Sequence, residues 1–289
     1  LYLRKGVIGS ERWGEKMRNR ISNELGIEIF TRSSQGIALT VDGAEFLTYA
    51  RQVLDQAALL EERYKNAKPR KQLCSVATQH YMFAVEAFVE MINATQSDEY
   101  EFTIRETRTR DIINQVANLQ SEIGILYLSE FNRQVIGKLL REKHLEFHPL
   151  FRSGLQVFIS RDNPLAGRNR VTMKDLEPYP FIQFEQGEEG SFFFAEEAVW
   201  PENSPKQINV TDRATILNFI IGLNGYTVCT GIDNGDLNNE KIVTVPLDSD
   251  ETMTVGWISN ERARLSAAAE TYLDRLREVI AKHGYEPIG

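Results

Sequence analysis

No stretch of eighteen consecutive apolar residues occurs in this 289-residue sequence, which leaves no candidate for a membrane-spanning helix. The first twenty residues, LYLRKGVIGSERWGEKMRNR, lack the apolar centre and small-residue cleavage site of a secretory leader. Cysteine is scarce as well. With only Cys74 and Cys229 a disulfide framework is excluded, and the expected home is a reducing cytoplasm, both thiols serving as small buried apolar groups. Of four histidines, His144 and His148 flank a helix-to-strand junction without a cysteine or third histidine nearby, which argues against a metal site. No GxSxG, HExxH, P-loop or GxGxxG pattern is present, so neither an enzyme nor a cofactor is expected. The glycine-bearing segment Phe184–Ser191 is too acidic for a phosphate cradle, and its Glu188/Glu189 pair reads as a solvated face.

Charge is present but unevenly placed. The net charge of −8 divides into +4 over residues 1–72 and −12 over the remainder. An acidic body repels nucleic acid, so any DNA contact must come from the N-terminal piece.

Local patterns divide the chain further. Asn19–Leu25 reads as a helix end, with Gly26 placed to cap it in a left-handed conformation. Ile27, Ile29 and Phe30 form a short strand, residues 32–36 a turn, and Ile37–Leu39 the returning strand, a hairpin like the wing of a winged helix. Thr40 is a good N-cap for a helix running from Val41 to about Asn66. Its stripe Ala44, Leu47, Ala50, Leu54, Ala57 suits pairing with a partner helix. Pro69 breaks that helix, and strands and helices alternate afterwards, which predicts an α/β body with mostly parallel strands. Strands are expected at 73–78, 100–106, 123–128, 145–150, 155–160, 181–185, 207–210, 226–229, 242–246 and 252–259. Helices are expected at 80–93, 111–119, 135–143, 214–223 and 266–282.

Within that body Thr78-Gln79-His80 falls at the carboxyl end of the first strand and the start of a helix. In open α/β sheets ligands collect in that crevice, where helix N-terminal N–H groups face outward. The alternative role for Thr78 or Gln79 is capping the helix. Thr107 and Thr211-Asp212-Arg213 occupy comparable strand ends.

The stretch ELGIEIFTRSSQGIALTVDGAEFLTYARQVL resembles the recognition-helix end, wing and linker helix of LysR-type transcriptional regulators. The similarity continues through LQSEIGILYL, VFISRDNPLA and GLNGYTVCTG followed by VPL, and covers about residues 21–282. The pieces TQHYMFAVEAFVEMI, IRETRTRDIINQVANLQSEIGILYL, FEQGEEGSFFFAEE and VTDRATILNFIIGLNGYT are most similar to the subgroup tied to methionine uptake and capsule control in streptococci and lactobacilli. The resemblance implies an α/β protein with a partial winged helix-turn-helix (1–40), a linker or dimerisation helix (41–67) and a hinge (68–72). Two periplasmic-binding-protein-like effector lobes follow, lobe 1 at 73–151 and 247–289 and lobe 2 at 152–246. It implies double-stranded operator DNA, a small effector and a second copy of the chain as partners, as a homodimer or homotetramer, with no membrane. Carried over by motif, the effector-binding residues are Thr78, Gln79, His80, Thr107 and Tyr127, faced by Phe184, Thr211 and Thr227. Arg18, Arg20, Arg32 and Ser34 would meet DNA.

The head departs from the family pattern. Arg18 and Gly14 stand where the recognition helix places isoleucine and leucine, and few residues precede them, so the expectation is a truncated or replaced head. Burying Arg18 unpaired costs several kcal/mol in so small a module. Two functions follow: an effector-controlled transcription regulator of sulfur amino acid metabolism, or a small-molecule sensor that no longer grips DNA.

Overall fold

The computed structural model describes residues 20–33, 36–65, 72–97, 99–187, 191–201, 205–232 and 241–288. The chain divides into two compact units, 1–70 and 71–289. Arg18 and Ser34 lie outside the described residues, as does the Glu188/Glu189 pair.

In the first unit, residues 20–25 are helical and Gly26 takes φ +67°, the left-handed cap its position demands. Strands β1 (Phe30–Ser33) and β2 (Gly36–Leu39) pair antiparallel from Phe30↔Leu39 to Ser33↔Gly36. The strands are therefore shifted from the sequence pattern: Arg32, Ser33 and Gly36 belong to the ladder, while Ile27 and Ile29 precede it. Thr40 caps helix α1 (Val41–Lys65), its hydroxyl accepting the Gly43 N–H at 2.8 Å. Gly43 is required there, because a β-carbon would run into the Ile29 carbonyl. Val41, Tyr49, Val53 and Leu54 of α1 are exposed within the chain.

The second unit holds two five-stranded sheets. Lobe 1 has the order β4–β3–β5–β12–β6, from β3 (Gln72–Thr78), β4 (Tyr100–Glu106), β5 (Ile123–Leu128), β6 (Leu145–Gly154) and β12 (Thr252–Asn260). All six residues of β5 are buried, as its central place and unbroken apolar run require. One face is covered by helices α2 (Met82–Ala94) and α7 (Ala267–Lys282), joined by the Tyr272 hydroxyl donating to the Ala84 carbonyl at 3.0 Å. The other is covered by α3 (Thr109–Ala117) and α4 (Arg133–Glu142), whose Ile112, Val116, Ile136 and Leu140 pack on Ala77, Leu126 and Leu128. Gly124 lets α3 approach β5, since a β-carbon would sit 2.7 Å from both Ile112 and Ile258.

Lobe 2 has the order β11–β7–β10–β8–β9, from β7 (Gln156–Ser160), β8 (Phe181–Phe184), β9 (Gln207–Val210), β10 (Tyr226–Cys229) and β11 (Ile242–Pro246). The short helix α5 (Met173–Leu176) and helix α6 (Arg213–Leu223) complete it. Asp212 caps α6 by accepting from the Thr215 N–H at 2.8 Å, and Asn224 ends it at φ +53°.

The expectation of mostly parallel strands is corrected. Across the two large sheets four neighbouring pairs are parallel and four antiparallel. The antiparallel pairs arise because the chain crosses between lobes twice and returns through β11 and β12. The two crossings are bonded to each other, Leu247 N–H donating to the Leu155 carbonyl at 2.9 Å. Helix α2 starts at Met82, two residues later than the pattern suggests, because Tyr81 is extended at φ −96°, ψ 120°. Strand β6 outlasts the expected 145–150 by pairing along β12 as far as Gly154.

The long β8–β9 connection reaches from lobe 2 onto lobe 1. Its 3-10 turn, Phe192–Phe194, packs against the α3/α4 face: Phe194 is buried among Ile112, Val116 and Leu140. Arg110 lies 4.5 Å over the Phe194 ring, and Phe193 stacks on Phe131 at 4.7 Å. Trp200 meets Phe131 edge-on at 5.8 Å.

Candidate functional site

The carboxyl ends of β3 and β4 face β8, β10 and the start of α6 across the interlobe cleft, and side chains from both sides meet there. The His80 ring stacks on Phe184 at 3.9 Å and 4°. His80 Nδ1 lies 3.0 Å from both carboxylate oxygens of Glu196, and the His80 backbone N–H donates to Glu196 Oε2 at 2.9 Å. Glu196 thus occupies the place at the start of α2 where an outside anion would be held. Burial by itself lowers the His80 pKa, but the hydrogen bond and charge of Glu196, with help from Glu106 and the Thr211 backbone, outweigh it and raise the value.

A second carboxylate follows directly. Glu197 is 1 % exposed, and its Oε1 accepts the Phe184 N–H at 3.0 Å while Oε2 has no hydrogen-bond partner. Burial, and secondarily Glu196, push its pKa up to about 8. Glu86 on α2 gives the contrast: also buried, it is held by Lys282 Nζ at 2.7 Å and His283 Nε2 at 3.0 Å. Burial pushes the Glu86 value up, but the hydrogen bonds from these two side chains outweigh it and leave the value below normal. At the cleft mouth Arg213 Nε stands 3.3 Å from Glu106 Oε1, close enough for an ion pair but without hydrogen-bond alignment. Arg108 and Glu185 add a second pair across the cleft at 3.0 Å.

Between the lobes lies a cavity of about 50 Å³, lined on the apolar side by Met82, Phe83, Phe158, Ile216, Val228 and Met253. Its polar lining is His80, Glu196, Glu197, Arg213, Thr227 and Thr230. Arg213 and Leu217 also line an open groove at the cleft mouth, where Glu106, Asp212 and Asn218 join them.

Of the residues singled out from sequence, His80, Phe184 and Thr227 line this cavity together. Thr78 and Gln79 are fully buried beneath it. Gln79 donates from Nε2 to Thr109 Oγ1 at 2.6 Å and accepts at Oε1 from the Tyr81 hydroxyl (2.8 Å) and the Tyr127 N–H (3.1 Å). Thr78 donates to the Gln79 carbonyl at 2.8 Å and accepts the Thr107 N–H at its own carbonyl, 2.9 Å away. Neither caps α2, which has no side-chain cap. Tyr127 reaches across to lobe 2, its hydroxyl shared between the carbonyls of Ala195 (3.0 Å) and Glu197 (3.2 Å). Thr211 is exposed beside the N-cap of α6. Arg20 is exposed and paired with Glu24 at 2.8 Å, and Arg32 lies on β1. Glu106, Glu196 and Glu197 were not anticipated as site residues, and Arg213 was noted only for its place at a strand end. The available clue was the Glu196-Glu197 pair embedded in FFFAEEAVW, an apolar setting unlike a solvated loop.

His148, suspected of metal binding only to be set aside, stacks on Trp257 at 4.0 Å. Among the described residues no group of three or more His, Cys, Asp or Glu side chains could hold a metal ion, and no helix is long and apolar enough to cross a membrane.

Two α/β lobes joined by paired crossings and closed over a cavity define a bilobal binding-domain architecture. The family model for the LysR substrate binding domain matches residues 81–281, and the chain belongs to that family. It is 26% identical over 173 residues to the HTH-type transcriptional regulator cbl of Escherichia coli K12, covering 58% of this chain and 51% of that protein. It is 23% identical over 169 residues to the uncharacterized HTH-type transcriptional regulator YnfL of the same organism, covering 57% and 53%. The chain thus spans about half the length of the curated relatives it matches. Among solved structures, a full-length BenM mutant superposes with a TM-score of 0.55 at 15% identity, covering 99% of this chain and 92% of that one. A Corynebacterium glutamicum OxyR mutant gives 0.54 at 14% identity, covering 95% and 84%. At these identities the structural likeness speaks for the fold.

Proposed function

We propose that the chain is an effector-responsive, LysR-type DNA-binding transcription regulator of the cytoplasm, not an enzyme, controlled by a small molecule held between its two lobes. The observation that carries this is the cavity closed by His80 on one side and Phe184, Glu196, Glu197 and Thr227 on the other. His80, Phe184 and Thr227 are the proposed direct contacts. Thr78, Gln79, Thr107, Tyr127 and Thr211 frame them. Arg18, Arg20, Arg32 and Ser34 are the proposed DNA contacts, and α1, with its exposed apolar residues, the proposed pairing helix of a dimer or tetramer. The resemblance to methionine-uptake regulators supports an effector from sulfur amino acid metabolism.

Two measurements test this. Methionine, cysteine and homocysteine are titrated while the melting temperature is followed; a ligand at one hundred times its Kd adds about 2.7 kcal/mol of stability. Selection from a random duplex pool, with the salt dependence of retained sequences, tests DNA binding. The altered pattern around Arg18 favours a second reading, a sensor without DNA grip. Ligand-dependent melting without retention of any duplex at low salt selects that reading. No melting shift with any sulfur amino acid removes the metabolic assignment.

A further inference from the structure

The cavity's polar groups are not equivalent. The position suited to an anion, at the His80 N–H and ring, is already filled by Glu196. What remains without a partner is oxygen: Glu197 Oε2 and Thr227 Oγ1 both lie in cavity-lining residues, more than nine-tenths buried, and neither atom has a hydrogen bond. Buried polar atoms left in this way carry a desolvation cost that a donor from a ligand would remove. The remaining wall is apolar, from Met82, Phe158, Ile216 and Val228. One water needs roughly 10–15 Å³ measured this way, so the chamber holds about four heavy atoms as it stands.

We propose that the closed cleft selects a small protonated amine with an apolar body, its ammonium hydrogens meeting Glu197 Oε2 and Thr227 Oγ1 and its carbons lying against Met82, Phe158 and Val228. This inference rests on the cleft being the ligand site and names the chemical class that site takes. A cation is favoured over a neutral donor because, among the described residues, Glu197 has no cation of its own: Arg213 faces Glu106 at the cleft mouth and His80 is bound by Glu196. Tyr81 and Tyr127, which also face Glu197, have pKa values raised by burial and remain neutral. Because a neutral acid must become the counter-ion, binding releases a proton from Glu197 near pH 7, where its raised value leaves it largely protonated.

The test titrates the full chain at pH 7 with n-propylammonium, propionate and n-propanol into the millimolar range. Amide and methyl NMR shifts at Met82 and Val228 locate binding, and calorimetry in two buffers of different ionisation heat counts protons. The expected result is at least tenfold preference for propylammonium, release of most of one proton, and loss of both in Glu197→Gln, with Thr227→Val weakening binding several-fold. Each variant's own melting curve establishes that it is folded. If propionate or propanol binds at Met82 and Val228 as well as propylammonium does, the amine assignment is overturned while the cleft remains the ligand site. If none of the three perturbs those residues, the cleft assignment falls with it.

Discussion

The two walls of the interlobe cleft are built on opposite plans. On lobe 1, Thr78, Gln79 and Tyr127 direct their hydrogen bonds into the protein, and Gln79 alone ties together α2, α3 and β5. On lobe 2, Glu197 and Thr227 present oxygens without partners beside the same cavity. A saturated polar network fixes geometry; an unsaturated one lowers stability until something fills it. The polar groups of the lobe 1 wall are therefore saturated where those of the lobe 2 wall are not, although sequence alone favoured the lobe 1 residues for contact.

The most severe way to break this contrast is at Gln79. Gln79→Ala leaves the Tyr81 hydroxyl and Tyr127 N–H buried without partners, and urea melts are expected to show a loss of roughly 2–5 kcal/mol. A loss below 1 kcal/mol would mean that Gln79 is not a keystone.

Glu197→Gln should act in the opposite direction. Folding raises the Glu197 value from 4.5 to about 8, so the folded state holds its proton more tightly and stability is lost as pH climbs through that window. The glutamine variant removes a penalty bounded at roughly 5 kcal/mol above pH 8, and its advantage over the parent should vanish near pH 4.5. Melting temperatures across pH 4.5–9 decide it; an equal slope in both proteins contradicts the assignment.

His80 contributes a smaller slope. Its pKa is raised on folding, so its stabilisation is present in full below about 6.5 and disappears as pH rises through the folded value. Glu196→Gln should flatten that part of the curve and lower stability at pH 5.5 by roughly 1–3 kcal/mol, consistent with a hydrogen bond to a charged group. Unaltered acid stability would show that the two side chains are not coupled.

Thr227→Val is the finest probe. Because Oγ1 has no partner, exchanging it for a methyl of similar size should leave the apo protein within about 1 kcal/mol of the parent, or slightly more stable. A loss above 2 kcal/mol would reveal a bond at that hydroxyl.

Much of the fold was legible because local pattern suffices for it. The unbroken apolar run of β5, the cap-and-helix signature of Thr40 and α1, and the left-handed Gly26 each follow from neighbouring residues. Strand direction was not legible. β12 enters between β5 and β6, pairing Thr254 with Leu128 of β5 from 126 positions further along the chain, and no local period records where a strand returns. The site followed the same division. The strand-end argument found His80, but its partner Glu196 is 116 positions away. The helix start that looked open to an anion is filled by the protein itself.

The aromatic arm of lobe 2 has one more consequence. Phe194 is embedded in the far side of lobe 1, between α3 and α4, rather than in the cleft it helps to close. Any parting of the lobes must draw that ring out of its socket or bend the arm that carries it. Were the lobes to part, the outer face of lobe 1 would register it, and Trp200, in contact with Phe131 and Phe192, would be the fluorescent needle.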